Sequence, residues 1–232
     1  QAVYRMTSRL SRILGPLMSL ALLAGALYLL ERSLRDVKLD ELWQTLRVFP
    51  REDVFCAIGL TIVSHAALTI YDYIGVIYVK RHLAYSKVAL AAFAAYSISH
   101  SLGFPAITGG AVRYRLYSRW GVSAVQVAQI MAVAGITLFL GMFLIGGIAM
   151  LLDGERVEEW TNLPAIAVNG LGVACLVVVA CYATMGFIRR TPLQFGSFTL
   201  AIPSPGFAAV QIAVSGIDWL LAALVLYVLL PH

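Results

Sequence analysis

The sequence predicts an all-α integral membrane protein with about five transmembrane helices, a re-entrant helical hairpin and a short interfacial helix. Two observations carry that class. Of the 232 residues 60% are hydrophobic and 12% charged, against about 45–50% and 25% in an ordinary globular chain, and the mean hydropathy is +0.84. The apolar residues also fall in runs near the roughly 20 that a helix needs to cross the hydrocarbon core. Such a chain has too little polar surface to cover a water-soluble core, which excludes a soluble enzyme and a disordered chain. Its three cysteines, Cys56, Cys175 and Cys181, supply neither a disulfide framework nor a metal cluster and are expected as small apolar fillers.

The first apolar run is 13–30. No small-residue cleavage site follows it, so we expect a retained span rather than a signal peptide. In 40–49, Asp40 is a good N-cap and Leu42, Trp43, Leu46 and Phe49 share one helical face before Pro50, the pattern of a capped connector or a helix lying in the interface. Further spans are expected at 54–79, 122–152, 163–188 and 207–230. Gly135, Gly141, Gly146, Gly147, Gly170 and Gly172 within them are expected to allow close helix contact. The chain begins on Gln1 and ends on Pro231-His232 directly after an apolar run. We therefore expect 1–232 to be a single transmembrane domain from a longer polytopic protein.

The charges give the topology. Arg5, Arg9 and Arg12, then Lys80, Arg81 and Lys87, then Arg113, Arg115 and Arg119, and finally Arg189 and Arg190 flank apolar runs. Segment 31–53 is instead mixed in sign, and the 153–162 loop carries Asp153, Glu155, Glu158 and Glu159 against Arg156 alone. The positive-inside rule places the N-terminus, 80–87, 113–119 and 189–206 in the cytoplasm, with 31–53 and 153–162 outside. Segment 88–112 must then return to the side it left. Its 25 residues are too few for two crossings at about 20 each. It should re-enter from the cytoplasm and turn at Gly103-Phe104-Pro105, its backbone buried in protein or lining a cavity.

A charge at bilayer depth costs at least about 2.5–3.5 kcal/mol and needs a partner. Asp72, about two turns inside Lys80, and Asp218, mid-way along the last span, each have two readings. One is an ion pair with a hairpin arginine that stabilises the fold. The other is a polar cavity wall for a headgroup or a proton. His65 is expected as a hydrogen-bonded core histidine. The densest constellation is the hairpin and its exit. Ser99 and His100 precede the turn; Thr108, Gly109 and Gly110 follow it, and then come Arg113, Tyr114, Arg115 and Tyr117. Gly109-Gly110 could gather backbone N–H groups into an anion-binding nest ahead of a helix N-terminus. Arg113 and Tyr117 share one helical face, Arg115 and Arg119 another. A guanidinium fork suits a phosphodiester, and basic pockets between membrane helices bind lipid headgroups. Arginines that merely fix topology would carry the same charge pattern.

Tyr96-Ser97-Ile98-Ser99-His100-Ser101-Leu102-Gly103-Phe104, Thr108-Gly109-Gly110-Ala111-Val112-Arg113-Tyr114-Arg115-Leu116-Tyr117-Ser118-Arg119-Trp120-Gly121 and the last span, from Ser215-Gly216-Ile217-Asp218-Trp219 to Pro231, resemble the membrane domain of bacterial lysylphosphatidylglycerol synthase/flippases, the multiple peptide resistance factors. The resemblance runs from the interfacial helix onward, and its Gly-Gly-x-x-Arg-Tyr-Arg-Leu-Tyr motif is fairly specific. It implies a parent phosphatidylglycerol lysyltransferase of the bacterial inner membrane. A soluble domain would aminoacylate phosphatidylglycerol from an aminoacyl-tRNA, and the membrane domain would move the product outward, giving resistance to cationic peptides. Neither the synthase domain nor the family's second set of helices lies in these 232 residues, so catalysis by this chain alone is not expected.

The leading expectation is thus a lipid-flippase module that uses no cofactor, metal or catalytic residue. Its partners would be phosphatidylglycerol and its aminoacyl form and the parent's remaining domains, with a homodimer compatible and no nucleic acid bound. Arg113 and Arg115 would hold phosphate, aided by Tyr114, Tyr117, Thr108, Gly109, Gly110, Ser99 and His100, and Asp72 or Asp218 would meet the amino group. The alternative is a secondary transporter of a small solute, which also uses broken helices, or a membrane-only relative handling another lipid. An intramembrane hydrolase ranks last, because no Gly-x-Ser-x-Gly elbow or His-Glu-x-x-His motif is present.

Overall fold

A computed structural model describes residues 50–102, 105–161, 163–188, 193–195, 198–200 and 203–230. The expected 13–30 span and 40–49 interfacial helix lie outside them. The described elements are α1 (Arg51–Tyr78), α2 (Tyr85–Leu102), α3 (Pro105–Ser118), α4 (Ala124–Leu152), α5 (Gly154–Thr161), α6 (Ala165–Ile188), a ribbon of β1 (Leu193–Phe195) and β2 (Phe198–Leu200), and α7 (Pro205–Leu229). The chain is an all-α membrane protein apart from that antiparallel ribbon, in which Leu193 pairs Leu200 and Phe195 pairs Phe198. Four described helices, α1, α4, α6 and α7, are long and apolar enough to cross a membrane.

The burial pattern is that of a protein whose solvent is lipid. Phe55, Ile62, Ile107, Leu152, Ile166 and Phe187 are among the exposed large apolar side chains, whereas Asp72, Arg113, Gln211, Ser215 and Asp218 are buried. Lipid tails are as apolar as leucine, so packing of small residues and interhelical hydrogen bonds hold the helices together. The close approaches show where. A Cβ on Gly147 would lie 3.0 Å from the Gly172 carbonyl oxygen, and one on Gly172 as close to that of Gly147, so α4 and α6 meet backbone to backbone. A Cβ on Gly141 would sit 2.5 Å from the Ser215 carbonyl oxygen of α7. Buried polar groups tie the same three helices: Gln211 donates to Thr137 Oγ1 at 2.7 Å and accepts from the Tyr182 hydroxyl at 2.6 Å. The Trp219 indole N–H donates to the Leu138 carbonyl at 3.0 Å.

The glycine expectation holds at Gly141, Gly147 and Gly172; at Gly135, Gly146 and Gly170 an added Cβ would meet nothing within 4 Å among the described residues. Gly141→Ala is therefore expected to destabilise the fold by about 1–3 kcal/mol through overpacking against backbone. Gly135→Ala and Gly146→Ala should be neutral or stabilising by up to about 1 kcal/mol, from helix propensity alone. Unfolding of the three variants in mixed micelles would order them.

Helix ends follow ordinary capping chemistry. Ser123 caps α4 in a reciprocal box with Gln126, and Ser204 caps α7 with Pro205 at its first position. The expected 153–162 loop is instead largely helical. Asp153 caps α4 and the acidic segment coils directly into α5, packed on α6 beside Asn169.

Expected spans and observed helices differ by at most three residues at each end. The larger difference is the hairpin. Its arms run 85–102 and 105–118 rather than 88–112, about 27 and 21 Å long at 1.5 Å per residue. Lys87, Arg113 and Arg115 thus lie inside helices and not beside them. The entry and exit of the hairpin lie at the same end of the bundle. Arg81, before α2, donates from Nε to Gln126 Oε1 at the start of α4 (3.1 Å), and the Lys87 ammonium lies 5.8 Å from the Trp120 ring centroid, just after α3. Tyr78 and Phe207, at the end of α1 and the start of α7, pack with ring centroids 6.0 Å apart. Lys80, Arg81, Lys87 and Arg119 gather at this basic end, while the acidic 153–159 stretch follows the far end of α4.

Candidate functional site

The hairpin meets α1 through one buried charge pair. Along α3, Gly109, Arg113 and Tyr117 recur every four residues and are the buried positions, so they form one stripe. Gly109 lets the α2 arm come close: a Cβ there would collide with Ser99 Oγ and lie 3.1 Å from Arg113 Nη1. Ser99 is itself buried, its hydroxyl donating to the Ala95 carbonyl at 2.6 Å. Arg113 then reaches α1, where Nε donates to Asp72 Oδ2 and Nη2 to Asp72 Oδ1, both at 2.8 Å. The Tyr117 hydroxyl adds a third bond to Oδ2 at 3.0 Å. The guanidinium also lies 4.5 Å from the Tyr96 ring centroid, a cation–π contact from α2. Asp72 and Tyr117 are wholly inaccessible and Arg113 is 5% exposed. The forked geometry and the saturated carboxylate are what make a buried pair tolerable.

Asp218 on α7 is held differently. Ser64 donates to Oδ1 at 2.8 Å and Tyr71 to Oδ2 at 2.9 Å, both from α1. Among the described residues no cation comes within ion-pair distance of it. Tyr71 and Asp72 are neighbours in sequence, so α1 supplies one carboxylate and, a residue earlier, a hydroxyl to the other. One is neutralised by a guanidinium and the other is met by hydroxyls only. His65 Nδ1 lies 3.1 Å from the Thr61 carbonyl; the residue is hydrogen-bonded but only part-buried, outside the core in which it was expected, and its ring stands 6.4 Å from that of His100. His100 in turn is 6.3 Å from Tyr96, which links this polar seam to Arg113.

Of the expected site residues, Asp72, Ser99, Gly109, Arg113 and Tyr117 come together, and Asp218 joins through Tyr71. His100 is exposed at the edge of the seam and Thr108 is half-buried. Gly110 faces away, against Met131 of α4. Tyr114 and Arg115 are exposed on the outer face of α3, apart from the pair. The Gly109-Gly110 nest is not formed. The helix starts at Pro105 and runs through both glycines, so their N–H groups are inside it, and their smallness serves packing. Sequence reasoning missed three partners: Ser64, Tyr71 and Tyr96. Ser64 and Tyr71 are seven apart on α1, a helical period that marks a polar stripe on an apolar span. Among the described residues no three metal-ligating side chains cluster.

No family model matches the sequence. The chain is similar to the uncharacterized protein slr0712 of Synechocystis sp., 32% identical over 176 residues, which is 75% of this chain and 54% of that protein. It is also similar to the inner membrane protein YbhN of Escherichia coli, 26% identical over 197 residues, 84% of this chain and 62% of that one. The chain thus spans between about half and three fifths of the length of these relatives. Neither name refers to lysylphosphatidylglycerol or to a transferase. With four apolar helices of spanning length and an inner membrane protein among its relatives, the chain is a multi-pass membrane protein.

Proposed function

We propose that the chain is the lipid-translocating part of a longer bacterial inner-membrane protein. It would move an aminoacylated phosphatidylglycerol, such as the lysyl form, to the outer leaflet, which lowers surface negative charge and resists cationic peptides. The observation that carries this reading is the closeness of two unlike carboxylates, Asp72 of α1 with Arg113 bidentate on it and Asp218 of α7 held by the Tyr71 and Ser64 hydroxyls of α1. A lysyl-phosphatidylglycerol headgroup carries an anionic phosphate and two cationic ammonium groups, so it needs both signs in one place. In this account one ammonium meets Asp218 and the phosphate takes Arg113 from Asp72. The hairpin is then held shut by Asp72 at rest and opened by substrate. Arg115, on the exposed face, serves the approach and not the pair. The basic end faces the cytoplasm by the positive-inside rule, and aminoacyl transfer in the parent protein falls to a separate domain.

The test uses the chain reconstituted into liposomes with a fluorescent lysyl-phosphatidylglycerol and a membrane-impermeant quencher. Exchange between leaflets is expected to run well above the protein-free rate. A rate equal to that of empty liposomes contradicts lipid translocation.

A further inference from the structure

A cavity of about 570 Å³ lies at the α1–α2 connection, its lining including Tyr73, Ile77, Lys80, Arg81, His82 and Leu83. We propose that it binds the phosphate of an anionic phospholipid at the basic end of the protein. Lys80 and Arg81 are its cations, and Tyr73 and Ile77 lie against the glycerol and acyl chain. The proposal is independent of the hairpin reading, because binding is measured here without translocation.

The backbone makes the first argument. The Arg81 N–H bonds the Val76 carbonyl at 3.2 Å and the Lys80 N–H that of Ile77 at 2.9 Å, the paired bonds of a Schellman ending in which Lys80 takes the left-handed position. Its φ is 54°, and it is the one non-glycine with positive φ among the described residues. Helix α3 ends by the same device: Val122 N–H bonds the Tyr117 carbonyl and Gly121 N–H that of Ser118, both at 3.1 Å. There the left-handed position is held by a glycine, Gly121, with φ 78°, as sterics favour. A cation suits the C-terminal dipole of a helix, but Arg81 already supplies one a residue later. The dipole therefore does not account for a lysine in the left-handed position, and that lysine lines the cavity.

Arg81 is also set in place. Its Nε donates to Gln126 Oε1, and that oxygen also accepts from the Ser123 N–H in the α4 capping box. The bond engages Nε, and a guanidinium carries further donors in the fork geometry that phosphate matches. The apolar wall points to a lipid in place of free phosphate, since Ile77 is half exposed beside the two cations.

The experiment titrates the purified chain in mixed micelles with phosphatidylglycerol, phosphatidylcholine and inorganic phosphate, comparing wild type, Lys80→Gly and Arg81→Gln. Phosphatidylglycerol is expected to bind best. Each variant should weaken it about fivefold, the effect of one cation near an anionic lipid surface. Lys80→Gly should keep or raise the thermal midpoint, because glycine relieves the left-handed strain, so that weaker binding by this variant cannot come from misfolding. Equal binding of the two lipids, or unchanged binding by Lys80→Gly, would overturn the proposal. Inorganic phosphate binding as tightly as phosphatidylglycerol would overturn the lipid source.

Discussion

Replacing Arg113 by alanine is expected to destabilise the protein by about 3–5 kcal/mol, because Asp72 would be left as a buried, uncompensated charge. Asp72 is wholly inaccessible and receives three hydrogen bonds, two of them from Arg113. Asp72→Ala should cost a comparable amount, since it strands the guanidinium in the same place. The pair removed together, as Asp72→Leu with Arg113→Met, should return most of that loss, as replacing a whole buried ion pair with apolar residues often does. Unfolding of the four proteins in mixed micelles compares the broken pair with the replaced one. The two singles should fall far below wild type and the double should lie between. The double variant also separates the two meanings of the pair. A fold that recovers without lipid exchange marks Arg113 as part of the site, and one that recovers with full exchange marks the pair as a structural staple.

The second large effect is on transport and not on folding. Asp218→Asn is nearly isosteric and leaves an oxygen for Ser64 or Tyr71 to bond, so stability should change little. Loss of the carboxylate charge removes the partner of the substrate ammonium. Exchange of lysyl-phosphatidylglycerol should fall at least tenfold, equivalent to about 1.4 kcal/mol or more. Exchange of unmodified phosphatidylglycerol, which has no ammonium, should fall much less. Equal losses for the two lipids would show that Asp218 does not read the amino group.

Much of the fold was legible because the four described spanning helices are long apolar runs between polar connections, and hydropathy reads such runs directly. The return of the hairpin was legible from charge, since the basic residues on both sides of it require both ends at one face. The lengths of its arms were not. A charge normally ends an apolar run, so Arg113 and Lys87 read as flanking residues, and an arginine neutralised by a distant carboxylate defeats that rule. The Gly109-Gly110 step failed for a related reason. A glycine pair in isolation reads as a turn, but here each glycine sits where α2 or α4 presses close, a fact that depends on the neighbouring helix. The same holds for Gly141 against Gly135, whose difference lies wholly in what stands opposite. Within the site, the shared face of Arg113 and Tyr117 followed from their spacing of four. The choice of Asp72 over Asp218 as the partner of Arg113 did not, because it rests on how α1 and α7 are placed.

The central claim is that the hairpin seam takes a headgroup of both signs, and a density map of the protein in nanodiscs containing lysyl-phosphatidylglycerol tests it most directly. The account predicts headgroup density in the seam, one ammonium within hydrogen-bond reach of Asp218 and its phosphate on Arg113, with Asp72 displaced. Lipid density confined to the outer apolar faces, with Arg113 still bidentate on Asp72 at saturating lipid, would contradict it.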